Sequence, residues 1–165
     1  MTQDKDNQFA VEKMIVGETS THGLNKLLTN IKIFKGSFPA DKVPLAKPVG
    51  VEAYIINTEP ARQEGEHWVA LVITKKKCFY FDSFGKQLLN LHILSQLKNI
   101  GVSDYKFSIK QIQPVLSSSC GYYCAAFILS HKIGMSYTSF IEMFSNNLEK
   151  NDKICYKFLE DNLFK

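Results

Sequence analysis

The stretch that decides the fold is His67-Trp68-Val69-Ala70-Leu71-Val72-Ile73-Thr74-Lys75-Lys76-Lys77-Cys78-Phe79-Tyr80-Phe81-Asp82. His67 to Ile73 is nearly all apolar and rich in strand-forming residues, which fits a strand buried on both faces. Lys75-Lys76-Lys77 reads as a charged turn, and Cys78 to Asp82 as a second strand of the same kind. Two strands joined so tightly pair antiparallel. Counting back from the turn places His67 and Asp82 at the same open end of the hairpin. Neighbouring strands lie about 4.8 Å apart, so a carboxylate there can reach an imidazole.

Working outward, Val51 to Asn57 is another β-rich run. Ser83-Phe84-Gly85 breaks the hairpin, and Lys86 to Ile100 then carries leucines and isoleucines at helical spacing, with Gly101 as a stop. Tyr105, Phe107, Ile109, Gln111 and Gln113 alternate with mostly polar residues. They predict a further strand closed by Pro114. Ser117-Ser118-Ser119 offer capping hydroxyls ahead of Cys120, and Gly121 to Ile133 predicts a buried central helix. Two helices follow, around Ser139–Asn146 and Asp152–Leu163. On the N-terminal side, residues 1–22 form an arm or short helix, and Gly23 to Leu28 a second helix. Lys35 to Gly50, with three of the five prolines, reads as a loop. The sum is an α+β fold, a small mixed sheet packed by helices, in one domain over residues 1–165.

The 165 residues, 45% apolar and 22% charged, suffice for a core without disulfide staples. No apolar run approaches the roughly 20 residues of a membrane helix, and the polar start resembles no signal peptide. Four irregularly spaced cysteines point to an intracellular, reduced protein; a monomer without membrane contact is expected. The net charge of +4 comes from nineteen lysines and one arginine. Lysines meet phosphates as point charges, so any nucleic acid would be held by its backbone, without sequence preference.

Chemistry concentrates at Cys120, at the junction of the serine loop and the central helix. A helix N-terminus favours negative charge and so favours a thiolate. Gly121, having no side chain, lets a substrate backbone come close. Cys78, Cys124 and Cys155 read as packing residues. A thiol protease also needs an imidazole and a group to orient it. His131 lies eleven residues along the same helix, about 16 Å away, too far to serve. His22 and His92 have no local acid partner. The pair His67 and Asp82 meets the requirement. Zinc held by Cys120, Cys124 and His131 lacks a fourth ligand and the usual spacing, so no metal is expected. An oxyanion needs a donor beside the Cys120 backbone N–H, and Gln113 is favoured over Gln111.

Three blocks carry a family resemblance: Ile56-Asn57-Thr58 ahead of Gly65 and His67-Trp68; Tyr80-Phe81-Asp82-Ser83-Phe84-Gly85; and Gln113 followed after six residues by Cys120-Gly121. In this order they resemble the adenovirus protease (adenain) and its relatives from Maverick/Polinton elements and virophages. Phe34 to Pro39 fits a looser upstream element. The resemblance covers about four-fifths of the chain. It implies the adenain/SUMO-protease branch of the papain-like fold, with Cys120 as nucleophile, His67 as base and acid, Asp82 as orienting acid and Gln113 as oxyanion donor. Trp68, Gly65 and Gly121 would border the substrate.

The resemblance further implies cleavage of viral precursor proteins at small or glycine-containing sites during particle maturation, in the host nucleus or viral factory and in the virion. No cofactor is needed for the chemistry, and stimulation by DNA or a viral peptide follows by analogy. Asp82 stands where adenoviral enzymes have glutamate. Gly101 to Lys110 holds no cysteine to tether a peptide. Two competing readings are a SUMO- or ubiquitin-like isopeptidase and a non-enzymatic nucleic-acid-binding virion protein. The glutamine-to-cysteine spacing and Ser119 beside Cys120 favour the endopeptidase.

Overall fold

A computed structural model describes residues 20–59 and 67–163. Of the arm expected over residues 1–22, residues 1–19 lie outside the described residues, as does Gly65, while Thr21 and His22 open the first described helix, ahead of the Gly23 start expected for it. The described elements are helix α1 (Thr21–Leu27), strands β1 (Phe34–Pro39), β2 (Glu52–Asn57), β3 (Trp68–Ile73) and β4 (Cys78–Phe81), and helices α2 (Leu91–Asn99), α3 (Cys120–Lys132), α4 (Tyr137–Glu142) and α5 (Asn151–Leu163). A single 3₁₀ turn, Leu148–Lys150, leads into α5.

The four strands lie in chain order across one sheet. β1 runs parallel to β2, while β2–β3 and β3–β4 are antiparallel. Every residue of β3 is buried, as its unbroken apolar run requires, because both faces of the sheet are covered. Ala53, Ile55, Ala70, Val72 and Phe81 join the core of α1, α3, α4 and α5. The alternate residues Tyr54, Ile56, Val69, Leu71, Ile73 and Tyr80 join Leu88, Ile93 and Leu97 on the other face, with α2. This period-two division gives the sheet two separate cores.

Helix α3 spans Cys120–Lys132 and is buried along most of its length. Phe127 is fully buried. It stacks on Phe81 of β4, with ring centroids 4.8 Å apart, and meets Tyr137 and Phe140 of α4 at 5.0 and 5.6 Å.

The structure corrects several sequence expectations. Tyr105 to Gln113 is not a strand. It touches the sheet at one parallel bridge, Phe79–Lys106, through two hydrogen bonds, Tyr80 N to Lys106 O and Lys106 N to Cys78 O. The chain then leaves the sheet, so its alternation reflects one-sided packing of Tyr105 and Phe107 and not a ladder. Conversely, the Gly- and Pro-containing loop beginning at Lys35 contains strand β1. Gly36 takes φ +136° at a register shift between Phe34 and Gly36, a backbone conformation suited to glycine. Asn25 of α1 ties this edge down by accepting from the Ser37 N–H at 2.8 Å.

Helix α2 begins only at Leu91, because Asn90 caps it by accepting from the His92 and Ile93 N–H groups. The apolar spacing ran past that stop, and Leu89 and Leu91 are exposed. Gly101, at φ +82°, follows the helix end as expected. Helix α4 starts near Tyr137 under a Ser136 cap, a little ahead of the expected bounds.

Phe127→Ala removes the ring that joins α3 to β4 and α4. It should lower unfolding stability by about 3–5 kcal/mol in a denaturant titration, whereas Leu89→Ala on the surface should change it by less than about 0.5 kcal/mol.

Candidate active site

The last rung of the β3–β4 ladder is Ala70–Phe81, so His67 and Asp82 lie just beyond it, on the free ends of the two strands. Backbone hydrogen bonds, one across the sheet and one in the turn after β4, still fix both. The His67 carbonyl accepts from the Thr58 N–H at 2.9 Å, which extends the β2–β3 pairing past Asn57. The Asp82 carbonyl accepts from the Gly85 N–H at 2.9 Å. His67 Nε2 lies 2.8 Å from Asp82 Oδ1, and that oxygen also accepts from the Phe84 N–H at 2.8 Å. Phe84 packs along the imidazole, with centroids 5.0 Å apart. The ring is thus held by a carboxylate at one nitrogen and by an aromatic face, leaving Nδ1 for another partner.

Cys120 also acts on the ring: it opens α3, is almost fully buried, and its sulfur helps to raise the imidazole pKa. Burial by itself would lower the His67 pKa. The hydrogen bonds from Asp82 and Cys120, with the charges of the same two groups, outweigh burial and raise it to about 9. The ring is therefore protonated through neutral pH.

The serine loop does not cap α3 as expected. Ser119 is the N-cap residue but makes no side-chain capping bond. Its hydroxyl bonds the Tyr156 hydroxyl of α5, and the Ser117 hydroxyl donates to Asp152 Oδ1 at 3.0 Å. Among the described residues α1, α2 and α4 have side-chain caps and α3 has none, so no capping side chain competes with an anion for the first-turn N–H groups.

Gln113 is 1% exposed and lies on the segment leading to Cys120. Its Nε2 donates to the Ser117 carbonyl at 2.8 Å, and its Oε1 accepts from the Ser83 hydroxyl at 2.5 Å. The other candidate, Gln111, turns its amide to the Gln113 carbonyl at 3.0 Å.

A family model described as adenovirus endoprotease matches residues 31–151 of this chain. The chain belongs to the adenovirus endoprotease family. It is accordingly a cysteine protease of a viral endoprotease family. A protease of bovine adenovirus 7 is 28% identical over 156 residues, covering 78% of this chain and 77% of that protein. A crystal structure of an ASFV protease aligns with a TM-score of 0.47 at 24% identity, covering 72% of this chain and 45% of its own.

For an adenovirus-type endoprotease the site is gathered from distant segments: a strand end, a hairpin exit, the loop before α3, and the start of α3. Trp68 and Gly121 are both buried, with Trp68 in the same apolar cluster as Cys120. The other thiols are packing residues. Burial raises Cys78 to about 12, and burial, with smaller contributions from nearby acidic groups, lifts Cys124 and Cys155 well above the usual range. His131 packs between Phe79 and Phe127 at 4.9 Å from each, and burial lowers its pKa.

Sequence reasoning missed the groups that hold the loop between Gln113 and Cys120. Asn151 of α5 donates to the Ile112 carbonyl at 2.8 Å. Asp152 receives the Ser117 and Tyr123 hydroxyls. Gly85, at φ +71°, lies so close to the segment after the β4 bridge that a Cβ would sit 2.6 Å from the Ile109 carbonyl oxygen. Only the glycine in the Phe-Gly block carried a signal in the sequence, since the others gain meaning from contacts across the chain.

Asp82→Asn removes the main force raising the His67 pKa while leaving the ring buried. Its titration midpoint, followed by the imidazole proton resonances, should fall clearly below about 9, the Cys120 contribution alone then opposing burial. In the native protein the folded value lies above the unfolded one, so the charged ring's contribution to stability is complete below about 6.5 and is lost as pH rises through about 9.

Proposed function

We propose that this endoprotease cleaves peptide bonds with Cys120 as nucleophile, His67 as proton donor and acceptor, Asp82 as orienting acid and Gln113 as oxyanion donor. The observation that carries the reading is an imidazole bonded to Asp82 at 2.8 Å whose pKa is raised by that carboxylate and by the Cys120 sulfur. The sulfur attacks the scissile carbonyl carbon, and the carbonyl electron pair moves onto oxygen. Gln113 Nε2 and the Cys120 backbone N–H donate to that oxyanion. As the intermediate collapses, the C–N bond breaks and protonated His67 gives its proton to the departing amine, leaving a thioester. Neutral His67 then takes a proton from water as the water attacks the thioester. The acid is released and the sulfur recovers its starting state. Asp82 holds the ring throughout and favours its charged form, as a shorter carboxylate in the place of glutamate.

Family membership supports protein substrates, and we assign viral precursor proteins, cut at small or glycine-containing sites during particle maturation. Gly65, Trp68 and Gly121 are placed along the substrate. The reading carries with it action in the host nucleus or viral factory and in the virion, as a monomer encoded by a virus or a Maverick-type element. Sequence-independent DNA contact would fall on lysines. Lys76, Lys77 and Lys106 line a depression of about 340 Å³ at the turn end of the β3–β4 hairpin, away from His67 and Cys120. A peptide activator would bind there or elsewhere without a disulfide, since Gly101 to Lys110 contains no cysteine.

Incubation with co-encoded capsid precursors, with cleavage positions read by mass spectrometry, tests the substrate class. Efficient tail release from SUMO or ubiquitin-like precursors, with capsid precursors left intact, would replace this assignment with the isopeptidase reading. Cys120→Ala should abolish cleavage, and Gln113→Ala should lower kcat roughly 10²- to 10³-fold. The alkaline limb of kcat should fall with a midpoint near pH 9, as His67 loses the proton it gives to the amine.

A further inference from the structure

Gln113 presents an amide whose orientation is decided by two groups outside the proposed triad. Its Nε2 faces the Ser117 carbonyl at 2.8 Å. A carbonyl only accepts, so the nitrogen and not the oxygen must point there. Oε1 is thereby turned to Ser83, whose hydroxyl donates to it at 2.5 Å. The amide nitrogen has two hydrogens, and only one is used by Ser117. The second meets no acceptor among the described residues.

Ser83 holds the backbone as well. Its carbonyl accepts from the Ile112 N–H at 2.9 Å and from the Gln113 N–H at 3.1 Å. The residue is fully buried, so its hydroxyl has no water to turn to. The terminal torsion of glutamine is soft, with no sharp staggered wells. A donor on Oε1 stiffens it, and polarises the amide so that the remaining N–H donates more strongly.

We propose that Ser83 is a positioning residue for the oxyanion donor, fixing the rotation of the Gln113 amide through its hydroxyl and the path of the chain through its carbonyl. The proposal rests on the reading of Gln113 as oxyanion donor. Ser83 makes and breaks no bond in the reaction. It follows Asp82 directly, so one turn holds the acid for His67 and the anchor for Gln113. That shared turn keeps both halves of the site in register.

Two probes that need no substrate sequence separate its role from general support. Acylation of Cys120 by p-nitrophenyl acetate passes through an oxyanion. Alkylation by iodoacetamide does not, and reports only on the sulfur and His67. In Ser83→Ala, acylation should slow about tenfold, while alkylation stays within about twofold of the native rate. In Gln113→Ala acylation should slow further, and adding Ser83→Ala to that variant should cost nothing more. Ser83→Cys, which keeps the volume and a weak donor, should fall between native and Ser83→Ala, and it stands in should the alanine variant fold poorly. Native acylation in Ser83→Ala and Ser83→Cys, beside a slow Gln113→Ala, would overturn the Ser83 proposal alone. Equal slowing of acylation and alkylation would also overturn it, as would full additivity in the double variant. Native acylation in Gln113→Ala would remove the oxyanion reading itself.

Discussion

The burial of α3 against the sheet is the constraint from which the rest of the site follows. A helix apolar on nearly every side must be enclosed, and here β3 and β4 lie on one side and α4 and α5 on the others. The Phe81–Phe127 stack, at 4.8 Å, locks α3 to the edge strand. Because Cys120 is the first residue of that helix, fixing the helix also fixes where the sulfur emerges. Asp82 follows Phe81 directly, so the contact that anchors the helix also sets the acid one residue away. Core packing and site geometry are one and the same constraint here.

The N-terminus of α3 is unusual in its hydrogen bonding. Serines placed to cap it direct their hydroxyls to α5, at Asp152 and Tyr156. The C-terminal helix thereby grips the loop between Gln113 and Cys120, with Asn151 holding the Ile112 carbonyl. A cap would have satisfied first-turn N–H groups with a serine oxygen. Without it the Cys120 and Gly121 N–H groups have no capping oxygen, the Tyr122 N–H bonds the Ser119 carbonyl, and the loop gains rigidity from elsewhere. Tyr123 of α3 shares Asp152 with Ser117, which ties α3, the loop before it and the C-terminal helix to one carboxylate.

Much of this could be read from the residues. The hairpin around Lys75–Lys77 was legible because an all-apolar run, a charged turn and an aromatic run leave few alternatives. The placement of His67 near Asp82 followed from counting along it. Helix α3 was legible for the same reason, as was the packing role of Cys78, Cys124 and Cys155. Strand β1 was not, since Gly36 and Pro39 carry loop signals and only pairing with β2 makes the segment extended. The false strand at Tyr105–Gln113 is the converse error. Alternation needs only one packed face, and a ladder needs a partner that this segment leaves after Lys106.

By itself, the sequence determined the local elements that have strong periodicity, the sharing of one strand end by His67 and Asp82, and the position of Cys120 at a helix start. Those are short-range matters, set by side-chain period and by counting. The tertiary structure alone decided which way the Gln113 amide points, that Ser83 and Ser117 hold it, and that α5 supplies the support. These depend on contacts between residues up to about forty positions apart in the chain, such as Asn151 with Ile112. No local pattern encodes them, because a serine hydroxyl can cap a helix, anchor an amide or meet solvent, and only the packed neighbours select among these.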